Sequence, residues 1–272
     1  MRQFFFTLLA LLSASSSYAN PLPCLGYFNA AYRDANLSRI DGLKNTSGDV
    51  ILFLGDSLTQ MWTDSTADLS KPSCSTATTS GLVDWTGIPG VKVNLGLYGI
   101  TACSYLYEYQ ASLSIRLKPF ASRVKMIVIN LGTNDIIQAA KDPAANPSSQ
   151  VQYLQALVFQ MATQFPNAHF LIHTIPPCLN AACGVAAQRE ARVSVFNMAV
   201  YTAFKDVKNT VVQTIPIRPW DLTPDAIHYN TCAYRKISHN VKFWASAWMP
   251  GYTYPTTLPM CGAWTPIHPC DL

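Results

Sequence analysis

Ser57 is the residue in this chain with the most chemistry to offer, because of what stands around it. It follows the run Val50–Ile51–Leu52–Phe53–Leu54 and the pair Gly55–Asp56, so a hydroxyl is placed just past an apolar segment. A serine hydroxyl becomes an effective nucleophile when a neighbouring base takes its proton. His228 is a suitable base, since imidazole ordinarily titrates near ~6.5. Asp225 precedes it by three positions, close enough for one turn of backbone to set the carboxylate against the ring and hold it. Acyl transfer also needs donors aimed at the oxyanion that forms. Gly99 lets a backbone N–H approach closely, the Asn134 amide supplies a second donor and the N–H of Ser57 a third. The candidates are therefore Ser57, Asp225 and His228 for catalysis, and Ser57, Gly99 and Asn134 for an oxyanion hole.

Each residue alone also has a plain structural reading. Ser57 or Asp225 could cap a helix, Asn134 could sit in a turn, and Gly99 could be an ordinary loop glycine. Taken together those readings need four coincidences, because the four clusters fall at corresponding places in the chain. Val50 to Leu54, Val91 to Asn94, Val124 to Asn130, His169 to Ile175 and Thr210 to Ile215 are short apolar runs that read as strands. Between and around them, Thr101–Leu117, Gln150–Phe165, Ala186–Val207 and Ala233–Trp248 carry helical periodicity, and a short helix is expected around Tyr27 to Ala35. Strands alternating with helices imply an α/β fold, a parallel sheet covered on both faces. Ligands bind such sheets outside the carboxyl ends of the strands, which is where Ser57, Gly99, Asn134 and the Asp225–His228 loop are expected.

At this point the chain resembles a known family. Gly55–Asp56–Ser57–Leu58 is the block for which GDSL esterases and lipases are named. With Gly99, Gly132–Thr133–Asn134–Asp135 and Asp225–Ala226–Ile227–His228, the order of blocks is similar to that of the SGNH hydrolase superfamily. The resemblance implies a flavodoxin-like three-layer α/β/α sandwich around a mostly parallel five-stranded sheet. It also implies hydrolysis of carboxylic esters through an acyl-enzyme. Ser57 would be the nucleophile, His228 the base, Asp225 its orienter, and Gly99 and Asn134 would complete the oxyanion hole. Leu97–Tyr98 departs from the smaller polar residues often found before the second-block glycine, and Tyr98 is expected to narrow the pocket. The expected substrates are small-molecule, lipid or carbohydrate esters, with short acyl groups such as acetyl favoured. A lipase-type acylhydrolase, an acyltransferase using the same acyl-enzyme, and a secreted binding module without activity are the alternatives. An α/β-hydrolase proper would want G-x-S-x-G, and position 59 is Thr.

The remaining features bound the setting. Arg2, the apolar run Phe4–Leu12 and the small residues ending at Ala19 read as a secretory signal over residues 1–19, too short for a span of ~20 residues. Residues 20–272 are then expected to form one domain with a loop-rich C-terminal tail, secreted and with no transmembrane segment. Eight cysteines beside an export signal imply disulfides; Cys178–Cys183 and Cys261–Cys270 are the short closures. In a eukaryotic host, Asn36–Leu37–Ser38 and Asn45–Thr46–Ser47 would be N-glycosylation acceptor sequences. Only 12% of residues are charged and the net charge is +4, with no basic block, so nucleic acid is not an expected partner. No metal or cofactor motif is present, and no cofactor is expected; a monomer is the default. Trp62, Trp85, Tyr98 and Tyr229 are the aromatic residues near the candidate site in sequence.

Overall fold

In the computed structural model, residues 24, 30–62, 90–141, 146–223, 225–229, 231–249 and 251–252 are described. The described elements run α1 (Ala30–Asp41), β1 (Val50–Gly55), α2 (Ser57–Gln60) and β2 (Val91–Gly96). A helix α3 follows in three contiguous pieces, Ala102–Ser104, a π-helical turn Tyr105–Tyr109, and Gln110–Leu117. Then come β3 (Val124–Asn130), α4 (Thr133–Ala139), α5 (Val151–Gln164), β4 (His169–His173), α6 (Ala186–Phe204), β5 (Thr210–Gln213) and α7 (Thr231–Trp248). Short 3-10 turns connect several of them.

β1 is buried at every position, which is why it reads as an unbroken aliphatic run: a strand covered on both faces has no side that gains from being polar. Its residues alternate between two cores. Val50, Leu52 and Leu54 pack into one with α3, α5 and α6. Ile51 and Phe53 pack into the other with Leu58, Trp62 and the inner side of α7. Each fully buried aliphatic or aromatic side chain contributes about 1.5–3 kcal/mol of transfer free energy, so this strand anchors both layers at once. The expectation of helices on both faces is met.

The five strands are hydrogen-bonded in the order β2-β1-β3-β4-β5, and all four pairings are parallel. From β1 the chain steps outward to β2 and then returns past β1 to β3. The segments leaving β1 and β3 therefore diverge, and the crevice at the carboxyl ends opens there. The observed helices and strands differ from the sequence reading mainly at their ends. The first helix is Ala30–Asp41 rather than Tyr27–Ala35, and β4 stops at His173. Residues 174–175 were expected to continue that strand, but Ile175 instead exchanges backbone hydrogen bonds with the Asn197 side chain, at 3.0 Å each.

Asn36 corrects one expectation. Its side chain is buried in α1, and its amide donates to the carbonyl of Gly96 at 2.9 Å. It is a strut between helix and sheet, not a glycan acceptor. The Cys178–Cys183 disulfide is present, and Cys24 bonds Cys103, tying the segment before α1 to α3. Cys261–Cys270, Trp85 and the 1–19 signal lie outside the described residues. No helix among the described residues is long and apolar enough to cross a membrane.

Candidate active site

Gly55 makes the turn after β1 possible. A Cβ there would stand 2.0 Å from Thr59 Oγ1 and 2.3 Å from the carbonyl oxygen of Asn130. The next residue, Asp56, is the N-cap of α2: its Oδ1 accepts the Leu58 N–H at 2.9 Å. Ser57 is thus the first residue of the helix, not its cap, and its N–H has no partner within the helix. Asp56 is wholly buried, and burial pushes its carboxyl up to about 7, against the lowering effect of the Leu58 N–H and of His228.

His228 and Asp225 come from the loop between β5 and α7. A bridge between Leu222 and Tyr229 closes this loop, and Thr223 N–H donates to the His228 carbonyl at 2.8 Å. Ala226 takes a left-handed φ of 59° at the tip. The closure turns Asp225 and the His228 ring toward each other: Oδ2 lies 2.5 Å from Nδ1. The other oxygen, Oδ1, accepts the N–H groups of Ile227 and His228, each at 3.0 Å, and the Thr223 hydroxyl at 2.7 Å. Partial burial alone would raise this carboxyl. The bonds from the His228 ring and backbone, the Thr223 hydroxyl and Ile227 outweigh it and hold Asp225 well below the usual carboxylate range. On its far side, His228 Nε2 lies 3.0 Å from Ser57 Oγ. Hydroxyl, imidazole and carboxylate therefore form one continuous hydrogen-bonded chain, assembled across 171 residues of sequence.

The other two candidates lie in the segments that follow β2 and β3. Gly99 has φ 73°, a conformation a side chain would resist. The Asn134 amide donates to the Ile100 carbonyl at 3.0 Å, which leaves its second N–H for another acceptor. Next to it, Asp135 accepts the Ala102 N–H on both oxygens, at 3.2 and 3.1 Å. Asn134 and Asp135 thereby pin the segment following Gly99 to the start of α4. Asp135 is buried, and desolvation pushes it up to about 7; the Ala102 N–H opposes this and the nearby Asp56 adds to it.

Of the four aromatics near the site in sequence, Trp62 and Tyr229 are core residues, and Tyr229 meets the Asn130 amide at 3.3 Å. Tyr98 is different. Its ring lies nearly parallel to the His228 imidazole, at 17° with centroids 6.3 Å apart. Sequence reasoning missed the supporting roles of Asp56, Asp135 and Gln60. The acidic residue immediately before the serine was a visible capping signal, whereas the Asp135–Ala102 bonds and the bond from the Tyr98 N–H to Gln60 Oε1, at 2.6 Å, join loops that no local pattern relates. Two of the other histidines do structural work: buried His173 meets Asn240 at 3.1 Å, and His169 stacks on Trp248. No group of three or more His, Cys, Asp or Glu among the described residues could hold a metal ion.

The bonded serine and histidine lie at the carboxyl end of a five-stranded, all-parallel, flavodoxin-like sheet. Residues 53–236 match the GDSL-like Lipase/Acylhydrolase family, and the chain belongs to it. Its chemistry is that of an esterase or acylhydrolase. No match was found among curated protein sequences. Among solved structures, the chain is similar to a Streptococcus pneumonia protein named for platelet activating factor. The identity is 17%, 88% of this chain and 98% of that one are covered, and the TM-score is 0.54. It is also similar to a GDSL-like lipase from Bacteroides thetaiotaomicron, with 15% identity, 79% and 97% coverage and a TM-score of 0.53. These likenesses are of fold.

Proposed function

We propose that this chain is a secreted serine esterase that cleaves carboxylic esters through an acyl-enzyme on Ser57. The observation that supports it most is the bonded series from Ser57 Oγ through His228 to Asp225, at 3.0 and 2.5 Å. In this reading Nε2 takes the hydroxyl proton as Oγ attacks the ester carbonyl. The oxyanion is received by the N–H groups of Ser57 and Gly99 and the Asn134 amide. When the tetrahedral intermediate collapses, the bond to the alcohol oxygen breaks and that oxygen takes the proton from Nε2. Water then repeats the sequence on the acyl-enzyme, with His228 again as base. Asp225 keeps Nδ1 protonated and offsets the charge of the imidazolium.

Ser57 and His228 are only 6% and 9% exposed, which supports a small acyl group such as acetyl. The disulfides Cys24–Cys103 and Cys178–Cys183 fit an oxidising compartment and, with the leader-like residues 1–19, support secretion. The test is hydrolysis of p-nitrophenyl esters from acetate to palmitate by the protein and by Ser57→Ala. The reading expects a short-chain maximum and a loss of several orders of magnitude in the variant, with a residual rate from the remaining groups. Equal activity of the two proteins would remove Ser57 as nucleophile. A maximum at palmitate would overturn the short-acyl part alone.

A further inference from the structure

We propose that Tyr98 is the platform for the alcohol half of the ester, and that the preferred alcohol is a ring, a pyranose being the natural form. This rests on the esterase reading above and adds to it the side of the substrate that is selected. The departing alcohol oxygen must take its proton from His228 Nε2, so it lies within hydrogen-bond reach, about 3 Å, of that atom. Whatever that oxygen carries must then pass beside the imidazole. The phenol ring of Tyr98 stands there, at 17° to the imidazole plane and 6.3 Å from its centroid, a spacing of offset-stacked rings. Offset stacking leaves part of the phenol face uncovered, and Tyr98 is 42% exposed among the described residues. An aromatic face of this kind gains most from a flat or ring-shaped neighbour.

The position of Tyr98 is also fixed relative to the nucleophile. Its backbone N–H donates to Gln60 Oε1 at 2.6 Å, and Gln60 is the last residue of the same short helix that Ser57 begins. Asn94 strengthens the tie, its amide meeting the carbonyls of Thr59 at 2.8 Å and Gln60 at 3.3 Å. A large aromatic residue half open to solvent, yet registered to the catalytic helix through a buried glutamine, is built to present a surface.

The experiment varies the two halves of the ester separately. One series keeps the acetyl group and changes the alcohol from methanol to a methyl pyranoside; the other keeps p-nitrophenol and lengthens the acyl chain from acetate to octanoate. Both are run on the wild type, Tyr98→Ala, Tyr98→Phe and Ser57→Ala. The expected result is that Tyr98→Ala lowers the preference for the pyranoside acetate over methyl acetate by about tenfold. The loss should fall mainly on KM, Tyr98→Phe should retain the preference, and the acyl-length profile should keep its maximum. Tyr98→Ala that shifts the acyl maximum while leaving the alcohol preference unaltered overturns the proposal and makes Tyr98 an acyl wall. A wild type with no preference for the ring alcohol overturns it as well. A wild type no more active than Ser57→Ala on every ester removes the esterase reading itself, a distinguishable failure.

Discussion

Replacing Asp225 by asparagine is the sharpest test of the catalytic geometry, because the hydrogen bonds around that carboxylate dictate how the amide must sit. Oδ1 accepts three donors, the N–H groups of Ile227 and His228 and the Thr223 hydroxyl, while Oδ2 faces His228 Nδ1. An amide keeps those three bonds only by placing its oxygen at Oδ1 and its NH2 against Nδ1. Nδ1 must then accept, the ring proton moves to Nε2, and Nε2 can no longer take the proton of Ser57. Turning the amide over restores the tautomer but sets NH2 against three donors. At ~1 kcal/mol per bond lost, that costs about 3 kcal/mol, or roughly 10²-fold. Loss of the anion beside the developing imidazolium adds to this. The carboxylate side chain is 40% exposed, so solvent screens that contribution to about 1 kcal/mol. The total is a fall of about 10³-fold in kcat for p-nitrophenyl acetate. Asp225→Ala imposes no wrong tautomer, so it should be the more active of the two although it removes more of the loop's hydrogen bonds. Asp225→Asn retaining a tenth of wild-type activity, or exceeding Asp225→Ala, would refute the argument.

Three further outcomes follow from the same geometry. Asp56 is pushed up to about 7 by burial against ~3.9 in an unfolded chain; between those values the folded protein holds the extra proton, so this group's contribution to stability falls as pH rises. Asp56→Asn, which keeps the cap, should therefore gain in unfolding free energy relative to wild type from pH 4 to 7, by up to about 1.4 kcal/mol per pH unit, in urea unfolding across that range; a flat difference sinks the assignment. Gly132 has φ 137°, and a Cβ would lie 2.4 Å from Phe196 Cζ, so Gly132→Ala should cost about 2–4 kcal/mol in urea unfolding and lower kcat by displacing Asn134. Removing the Cys24–Cys103 pair, 79 residues apart, should cost about 4–5 kcal/mol, against about 2 for Cys178–Cys183, 5 apart; equal Tm losses would contradict that ordering.

The sequence by itself determined the strands, most of the helices and the family. β1 and β3 are buried nearly throughout, and burial on both faces leaves an aliphatic run that local reading detects. The blocks around Ser57, Asn134 and Asp225–His228 were legible for the same kind of reason. Ser57 follows the end of a buried strand, and an acid three residues before a histidine can meet it through local backbone alone. The bond between Ser57 and His228 depends on where the whole sheet places β1 relative to the loop after β5, and only the parallel order β2-β1-β3-β4-β5 decides that. Asn36 shows the reverse error: its local pattern suggested a surface acceptor, but packing of α1 against β2 took its amide inside. Tyr98 was visible as a bulky departure, yet which half of a substrate it would meet depended on its orientation to an imidazole 130 residues later. Local sequence encodes what neighbours along the chain require of each other. The meeting of distant loops is set by the burial of both sheet faces, a property of the folded whole.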